Sequence, residues 1–537
     1  MKSPREMLKS LKKTVVENGG IGGVIDSMIA PIAPGWALQR QQTRNAFNAS
    51  SEYYRGAARN RLRADWTTRT TKPDAPKWEQ NTLVARFRDI ERNDPIGAGL
   101  IDTMGINVVG KGLRPQSKIR SEVLGCSEEQ ADEYRTMAEA AFEAFCKTAD
   151  AREISTFDHL QFMALTQVCR DGESIALPVW SEKPYKKFAR AIQLLEREML
   201  GDPMAADENR ARGIIYGPMG EPLKYLINKD PAKSVPDLEE IDARDSRGRK
   251  KVIHAFMPRR PGQSRGIPLF APVMDLFKDL GDYREAEIIK ARIAACLSVI
   301  FTKADPVSAA HAARETGVKL GARDEQITSL SPGMVHYAEY GDDVKIVDPN
   351  RGQDVFGVFS ENILRLIGAS IGLPYELVLK DFSKTNYSSA RAALLEGRRV
   401  FTFWRSWFGD SFCRPFYELV LEEAYYRGYF RVPKFFEFFD EYCRCAWLGS
   451  GWGWVDPVKE ITASKMAIDY NLSSQEIECA AQGVNAYEIL DDQDNYMKYR
   501  RKKQYLPAAV SADSKTATQD QDQPENNESE KQNANAD

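Results

Sequence analysis

The chain has 537 residues, enough to bury a large core and to hold more than one structural unit. Its 74 Lys and Arg nearly balance 77 Asp and Glu, which excludes a protein that binds polyanions over its whole surface. The balance hides a gradient, because residues 1–72 hold 13 Lys or Arg against 5 Asp or Glu whereas residues 508–537 hold 2 against 7.

Residues 1 to about 75 alternate short helical stretches with Gly and Pro breaks. Arg55, Arg59 and Arg63 fall four apart on one helical face, which reads either as a solvated basic face or as a docking surface for nucleic acid or a partner. Residues 84–109, VARFRDIERNDPIGAGLIDTMGINVV, give a basic helix, an Asp-Pro break and a second helix. Within them, GINVVGKG from Gly105 to Gly112 has the G-x4-G-K spacing of a phosphate-binding loop. Gly112 stands where a Ser or Thr should hold Mg²⁺, however, and Pro115 follows where the phosphate-binding helix should run, so a simple loop is expected.

Residues 127–146 are an amphipathic helix, and 157–170 a second one. In GESIALPVW, Ile175, Leu177 and Val179 alternate as in a strand. Residues 191–198, 213–227 and 250–256 add further strands, with Gly217, Pro218 and Gly220 making a hairpin turn, so the region reads as a mostly antiparallel sheet with helices against it. Two acidic pairs, Asp171 with Glu173 and Glu196 with Glu198, would each set both carboxylates on one face of a strand. Such pairs hold divalent metals in nucleases, but no Lys or His accompanies them at a motif spacing, and salt-bridged structural carboxylates are the expectation.

Arg259, Arg260 and Arg265 sit in a Gly/Pro-rich connector ahead of about thirty helical residues, and residues 302–352 then hold short strands between turns. From Val355 the pattern is helix, polar loop, helix. Phe356, Phe359, Ile363, Ile367 and Ile371 make one apolar stripe, and Gly372 with Pro374 stops it. The loop carries Lys380, Lys384, Asn386 and Tyr387. Ser388 or Ser389 is placed to cap a second helix opening at Ala390 and running to about Tyr426, roughly 50 Å with a kink near Pro415. The aromatic run that follows, VPKFFEFFDEYCRCAW, reads as strand and core rather than as a base-stacking platform. Residues 456–503 give two or three short helices ending in a basic patch of Lys498, Arg500, Arg501, Lys502 and Lys503, and the nearly apolar-free end is expected to be disordered.

Neither the eight cysteines nor the four histidines form a ligand pattern, so no metal or cofactor is expected, and the cysteines read as buried free thiols. No apolar run is long enough to span a bilayer. Residues 21–37 are interrupted by Asp26, Pro31 and Pro34, which argues against a signal peptide and for a protein made in the cytosol, with no membrane partner.

The stretch GLPYELVLKDFSKTNYSSARAALLEGRR resembles bacteriophage portal proteins of the lambda type. So do RDIERNDPIGAGLIDTMGINVVGKG, RPGQSRGIP with the helix after it, SPGMVHYAEYGDDVKIVDP and VDPVKEITASKMAIDYNLSSQEIECAAQGVNAYEIL, in the family's order. The resemblance implies an α+β portal fold. Its parts would be a basic arm (1–75), a mixed wing (76–265), a first stem helix (266–301), a clip (302–353), a second stem helix (354–375) and a tunnel loop (376–389). A long kinked helix (390–428), a wing return (429–455), a helical crown (456–505) and an acidic tail (506–537) would complete it. It also implies a homo-oligomeric ring, a dodecamer, around double-stranded DNA. Lys380, Lys384, Asn386 and Tyr387 would line its channel, and terminase, head–tail connector and capsid or scaffold proteins would dock on it. A different class of reading, a metal-dependent nuclease or recombinase, would use Asp171, Glu173, Glu196 and Glu198; a third, a DNA-binding adaptor, would use Arg55, Arg59 and Arg63.

Overall fold

The computed structural model describes residues 77–201, 210–229, 237–296 and 355–502, together with Gly35 and two short strands, Ile300–Thr302 and His336–Ala338. Contacts divide the chain into Met1–Lys72 and Pro73–Asp537, and the account below concerns the second unit. Arg55, Arg59 and Arg63, the acidic end and nearly all of residues 302–353 lie outside the described residues.

Helices α1 (Lys77–Asn93) and α2 (Pro95–Val108) meet at the Asp-Pro break. The Asp94 carboxylate accepts from the backbone N–H groups of Ile96 and Gly97 at 2.9 and 3.0 Å, and Pro95 occupies a first-turn position that needs no donor. Gly105 lies inside α2, and a strand, β1 (Arg114–Ser117), follows Gly112. The phosphate-loop spacing therefore has no helix N-terminus behind it to hold an anion. Helix α3 (Glu128–Cys146) opens on a reciprocal cap between Ser127 and Gln130, and α4 (Phe157–Asp171) ends at Gly172.

Seven strands come next: β2 (Glu173–Trp180), β3 (Arg190–Leu195), β4 (Arg210–Ala211), β5 (Ile214–Tyr216), β6 (Pro222–Asn228), β7 (Leu238–Asp242) and β8 (Ile253–Phe256). They form two antiparallel sheets, ordered β3-β2-β8 and β4-β5-β6-β7. Side chains alternate across a strand, and here both faces of β2 are used. Ile175 and Leu177 join a cluster with Tyr225 and Ile227 of the second sheet, while Ala176 joins the main helical core. The sequence pattern misses β7, an acidic edge strand with no alternation. It also runs β3 too far, since Glu196 caps a 3-10 turn over Arg197–Met199.

The acidic pairs depart from expectation in placement and meet it in role. Asp171 closes α4 and Glu173 opens β2, so neither pair shares a strand face. Arg88 binds Asp171 at 2.8 Å, Glu198 at 2.8 Å and Glu196 at 3.2 Å. Glu173, fully buried, accepts from Arg197 Nε at 2.9 Å, Arg265 Nε at 2.8 Å and the Gly266 N–H at 3.0 Å, and lies 3.1 Å from His254 Nε2. Burial pushes its pKa up, but Arg265, the hydrogen bond from His254 and Arg197 outweigh burial and hold it well below the usual carboxylate range. Arg265 is thus no plain connector residue. Its loop passes so close to Gly172 (φ +92°) that a Cβ there would sit 2.5 Å from the Ile267 backbone.

Beyond α5 (Met274–Cys296), strands β9 (Ile300–Thr302) and β10 (His336–Ala338) pair in parallel. Helix α6 (Val355–Ile371) is followed by a short α7 (Tyr375–Leu379), then by α8 (Tyr387–Phe408), a π-helical turn over Gly409–Cys413, and α9 (Arg414–Tyr426). A π turn stands just before Pro415, where the sequence leads to the expectation of a kink. It spares the proline's missing donor and lets Gly409 approach Trp447, which a Cβ would meet at 2.7 Å.

Strand β11 (Cys445–Leu448) pairs antiparallel with β1, joining segments more than 300 residues apart in the chain. The core is aromatic: Phe408, Phe412, Phe416, Tyr417, Phe142 and Phe157 are buried in mutual ring contact. Phe430, Phe435 and Tyr442 extend it, so the aromatic run packs as core. Cys169, Cys413, Cys443 and Cys445 are buried free thiols. Helices α10 (Pro457–Asp469), α11 (Gln475–Ala481) and α12 (Ala486–Lys502) follow, with Ala486 their sole buried residue.

Two predictions arise from these contacts. Glu173→Ala strands Arg265 and Arg197 without a counter-charge and should cost about 3–5 kcal/mol in chemical denaturation. Glu139 accepts from the Ser117 N–H at 2.7 Å, and its burial pushes its pKa up to about 7. Its folded form binds a proton more tightly than the unfolded chain, so its contribution is full below about pH 4.5 and fades as pH rises toward 7. Glu139→Gln should flatten the fall in melting temperature over that window.

Candidate nucleic-acid interface

The segment between α6 and α8 is built almost wholly from local hydrogen bonds. Gly372 takes φ +76°, Leu373 N–H returns to Gly368 O at 2.9 Å, and Pro374 opens α7. Lys380 ends α7 in the left-handed region at φ +58°. The Asp381 carboxylate then accepts from Ser383 N–H at 2.9 Å, and the Thr385 hydroxyl donates to Phe382 O at 2.9 Å.

Asn386, not Ser388 or Ser389, caps the second helix, which consequently starts three residues earlier than Ala390. Its Oδ1 accepts from Ser389 N–H at 2.9 Å, and Ser389 Oγ accepts from Asn386 N–H at 3.0 Å. A reciprocal box satisfies two end donors where a lone serine satisfies one.

The structure brings Lys380, Lys384, Asn386 and Tyr387 together on this segment, all exposed. Their surroundings differ. Lys384 Nζ lies 3.0 Å from Glu361 on α6, and Arg365 lies 2.7 Å from the other oxygen of the same carboxylate. The hydrogen bond from Lys384 holds the Glu361 carboxylate below its ordinary pKa, and Glu361 raises that of Lys384 in turn. Arg365 stacks on Tyr375 at 5.4 Å from the ring centre, and Lys459 of α10 lies over Tyr387 at 5.8 Å. Lys380 has no ion pair among the described residues.

Sequence reading missed Glu361 and Lys459. Glu361 is the one acid of α6 and was findable as a charge facing the basic loop, but the fold-back that brings it within reach of Lys384 depends on α7, a turn of helix with no pattern of its own.

Exposed lysine ammonium groups are the kind of donor that meets phosphate oxygens without reading bases. The family model for phage portal proteins of the lambda family covers residues 59–405, more than half of the chain, and the chain belongs to that family. It is 26% identical over 456 residues to portal protein B of Escherichia phage lambda, covering 80% of this chain and 85% of that protein. To the portal protein of Escherichia phage N15 it is 25% identical over 464 residues, covering 80% and 86%. Among solved structures, the neck of the native GTA particle computed with C12 symmetry aligns at a TM-score of 0.38 with 13% identity, over 76% of this chain and 94% of that one. The α+β class expected from the sequence is that of the family and of the structure described above.

Asn386→Ala removes one half of the capping box and should cost about 1 kcal/mol, read as faster amide exchange over the first turn of α8 with the aromatic core unaffected.

Proposed function

We propose that copies of this chain close into a ring, a dodecamer as the family resemblance implies, through which double-stranded DNA enters and leaves a phage head. In this reading the chain is assembled in the host cytoplasm and resides in the virion. It docks the terminase large subunit, head–tail connector proteins and capsid or scaffold protein, and it acts as a conduit without catalytic residues of its own. The observation that carries the proposal, beside family membership, is how little of α10–α12 an isolated chain covers. Val458, Ile477, Tyr487 and Leu490 are more than half exposed there, as are Val358 and Leu366 on α6. Apolar helix faces of this extent call for neighbours, and a heterologous ring supplies the same neighbour to every copy.

The ring then multiplies Lys380 and Lys384 into a belt of charge around the channel, with Asn386 and Tyr387 beside it. A belt that touches phosphates weakly and without sequence preference suits a duplex that must move. The nuclease reading meets a physical objection, because Asp171, Glu173, Glu196 and Glu198 are paired to Arg88, Arg197 and Arg265, and guanidinium groups occupy the places a divalent cation would take.

Molar mass in solution with a view down the particle axis tests the ring; single chains at every concentration would end the proposal. Lys380→Gln with Lys384→Gln should lower DNA retention or packaging yield several-fold with ring assembly intact. Glu361→Gln, which frees Lys384 from its carboxylate, should shift the same measure in the opposite direction and steepen its salt dependence. Failure of assembly in the lysine double variant would make the loop structural.

A further inference from the structure

A cleft of about 410 Å³ lies between the outer half of β2, β7, the 245–251 turn and α9. Leu177, Val179, Ile241 and Leu419 make an apolar floor, and Arg190 stands at the edge. Arg190 also lines an adjoining hollow of about 320 Å³ beside Trp180 and Tyr426. It is the cross-strand partner of Trp180, with its guanidinium 5.6 Å from the indole centre, and Arg427 packs against the same ring at 5.7 Å. An exposed tryptophan is thereby fixed between two cations.

The other arginines here are answered by acids. Arg249 binds Asp245 at 2.6 Å and Glu422 at 2.9 Å, and Arg427 binds Glu423 at 2.7 Å. Arg190 forms no ion pair among the described residues, although Glu423, Glu422 and Asp245 lie within electrostatic reach. Glu423 directs its oxygens to the backbone N–H groups of Ala189 and Arg190, at 2.7 and 3.0 Å, and the buried Nε of Arg190 has no acceptor. Lys250, which also lines the cleft, forms no ion pair among the described residues. Burial lowers the pKa of both groups by more than the carboxylates nearby raise it, Glu423, Glu422 and Asp245 for Arg190 and Glu418 for Lys250. A guanidinium with a buried donor and no acceptor is an unusual thing for a fold to keep, since the unmade bond costs about 1–3 kcal/mol.

We propose that this cleft binds an acidic segment of a partner protein, with Arg190 taking a carboxylate, Lys250 adding positive charge to the same cleft and the apolar floor taking a branched side chain beside it. Glu239, Glu240 and Asp245 line the same cleft beside Arg249 and Lys251, which pair with Asp245 and Asp242, and Glu422 and Glu423 line the adjoining hollow. These acids oppose a polyanionic backbone, which would bring charge along its whole length, but leave room for a single carboxylate flanked by apolar atoms. The chain's own acidic end is a poor fit for the floor, because Val510 is the only Val, Leu or Ile in residues 508–537.

The test is fluorescence anisotropy on the full-length protein with an amidated peptide, Gly-Gly-Leu-Asp-Leu-Gly-Gly, bearing a label without charge, and its twin with Asn in place of Asp. The Asp peptide should bind about ten-fold tighter, the worth of one charge-assisted hydrogen-bonded contact. Arg190→Gln should bring that ratio close to one. Lys250→Gln, an exposed change that keeps the fold, should reduce it several-fold. Equal binding of the two peptides, or an undiminished preference in both variants, overturns the proposal. Displacement of the peptide by inorganic phosphate at concentrations where acetate has no effect overturns the carboxylate assignment. Markedly tighter binding by a chain ending at Pro507 assigns the cleft to the protein's own acidic end and overturns the partner assignment.

Discussion

The Glu173 carboxylate ties together segments that are far apart in the chain. It stands where α4 turns into β2, and it is met by Arg197 from the turn after β3, His254 from β8, and Arg265 with the Gly266 N–H from the loop that leads toward α5. Two residues before it, Asp171 holds Arg88 of α1 and Arg170 of its own helix. A buried network of this kind adds little net stability over a well-packed apolar one, since desolvation offsets most of the attraction. Its effect lies in direction. Each donor must arrive at a particular oxygen, so the helix, both strands and the loop can be joined in one arrangement and no other, and the start of α5 is fixed relative to the sheets.

That constraint explains which parts of the fold could be read from residues and which could not. The apolar stripe of α6 and the helix of α3 follow from spacing, because a 3.6-residue period leaves a mark in any amphipathic helix. The hairpin at Gly217 to Gly220 follows from turn chemistry. Strand β7 leaves no mark, being acidic, exposed and paired on one edge only. The structural role of the acidic residues at 171, 173, 196 and 198 was legible from the lack of a lysine or histidine at motif spacing. Their placement was not, because it rests on arginines at 88, 197 and 265 that no local pattern joins to them.

The candidate interface divides in the same way. Its location on one polar loop between two helices was legible, and so were the four residues that the loop exposes. What each does inside a single chain was not. Asn386 closes a helix, Tyr387 lies under Lys459, and Lys384 shares Glu361 with Arg365, whereas Lys380 stands clear. Sequence assigns residues to a surface, but the competition among neighbours for each charge appears only once the chain has folded back.

In the proposed conduit that competition has a physical use. An exposed ion pair contributes little and is weakened further by salt, so a passing phosphate could take Lys384 from Glu361 and return it at little cost in either direction. A lysine with no carboxylate beside it, as Lys380 stands, would hold each phosphate more tightly, so the readily exchanged contact falls to Lys384. A lysine locked in a buried pair would not reach the phosphate at all. The pairing of Lys384 lies between those limits: in the proposed conduit a contact with the duplex would replace one already present in the protein, and the free energy would change little as one phosphate followed another past the loop.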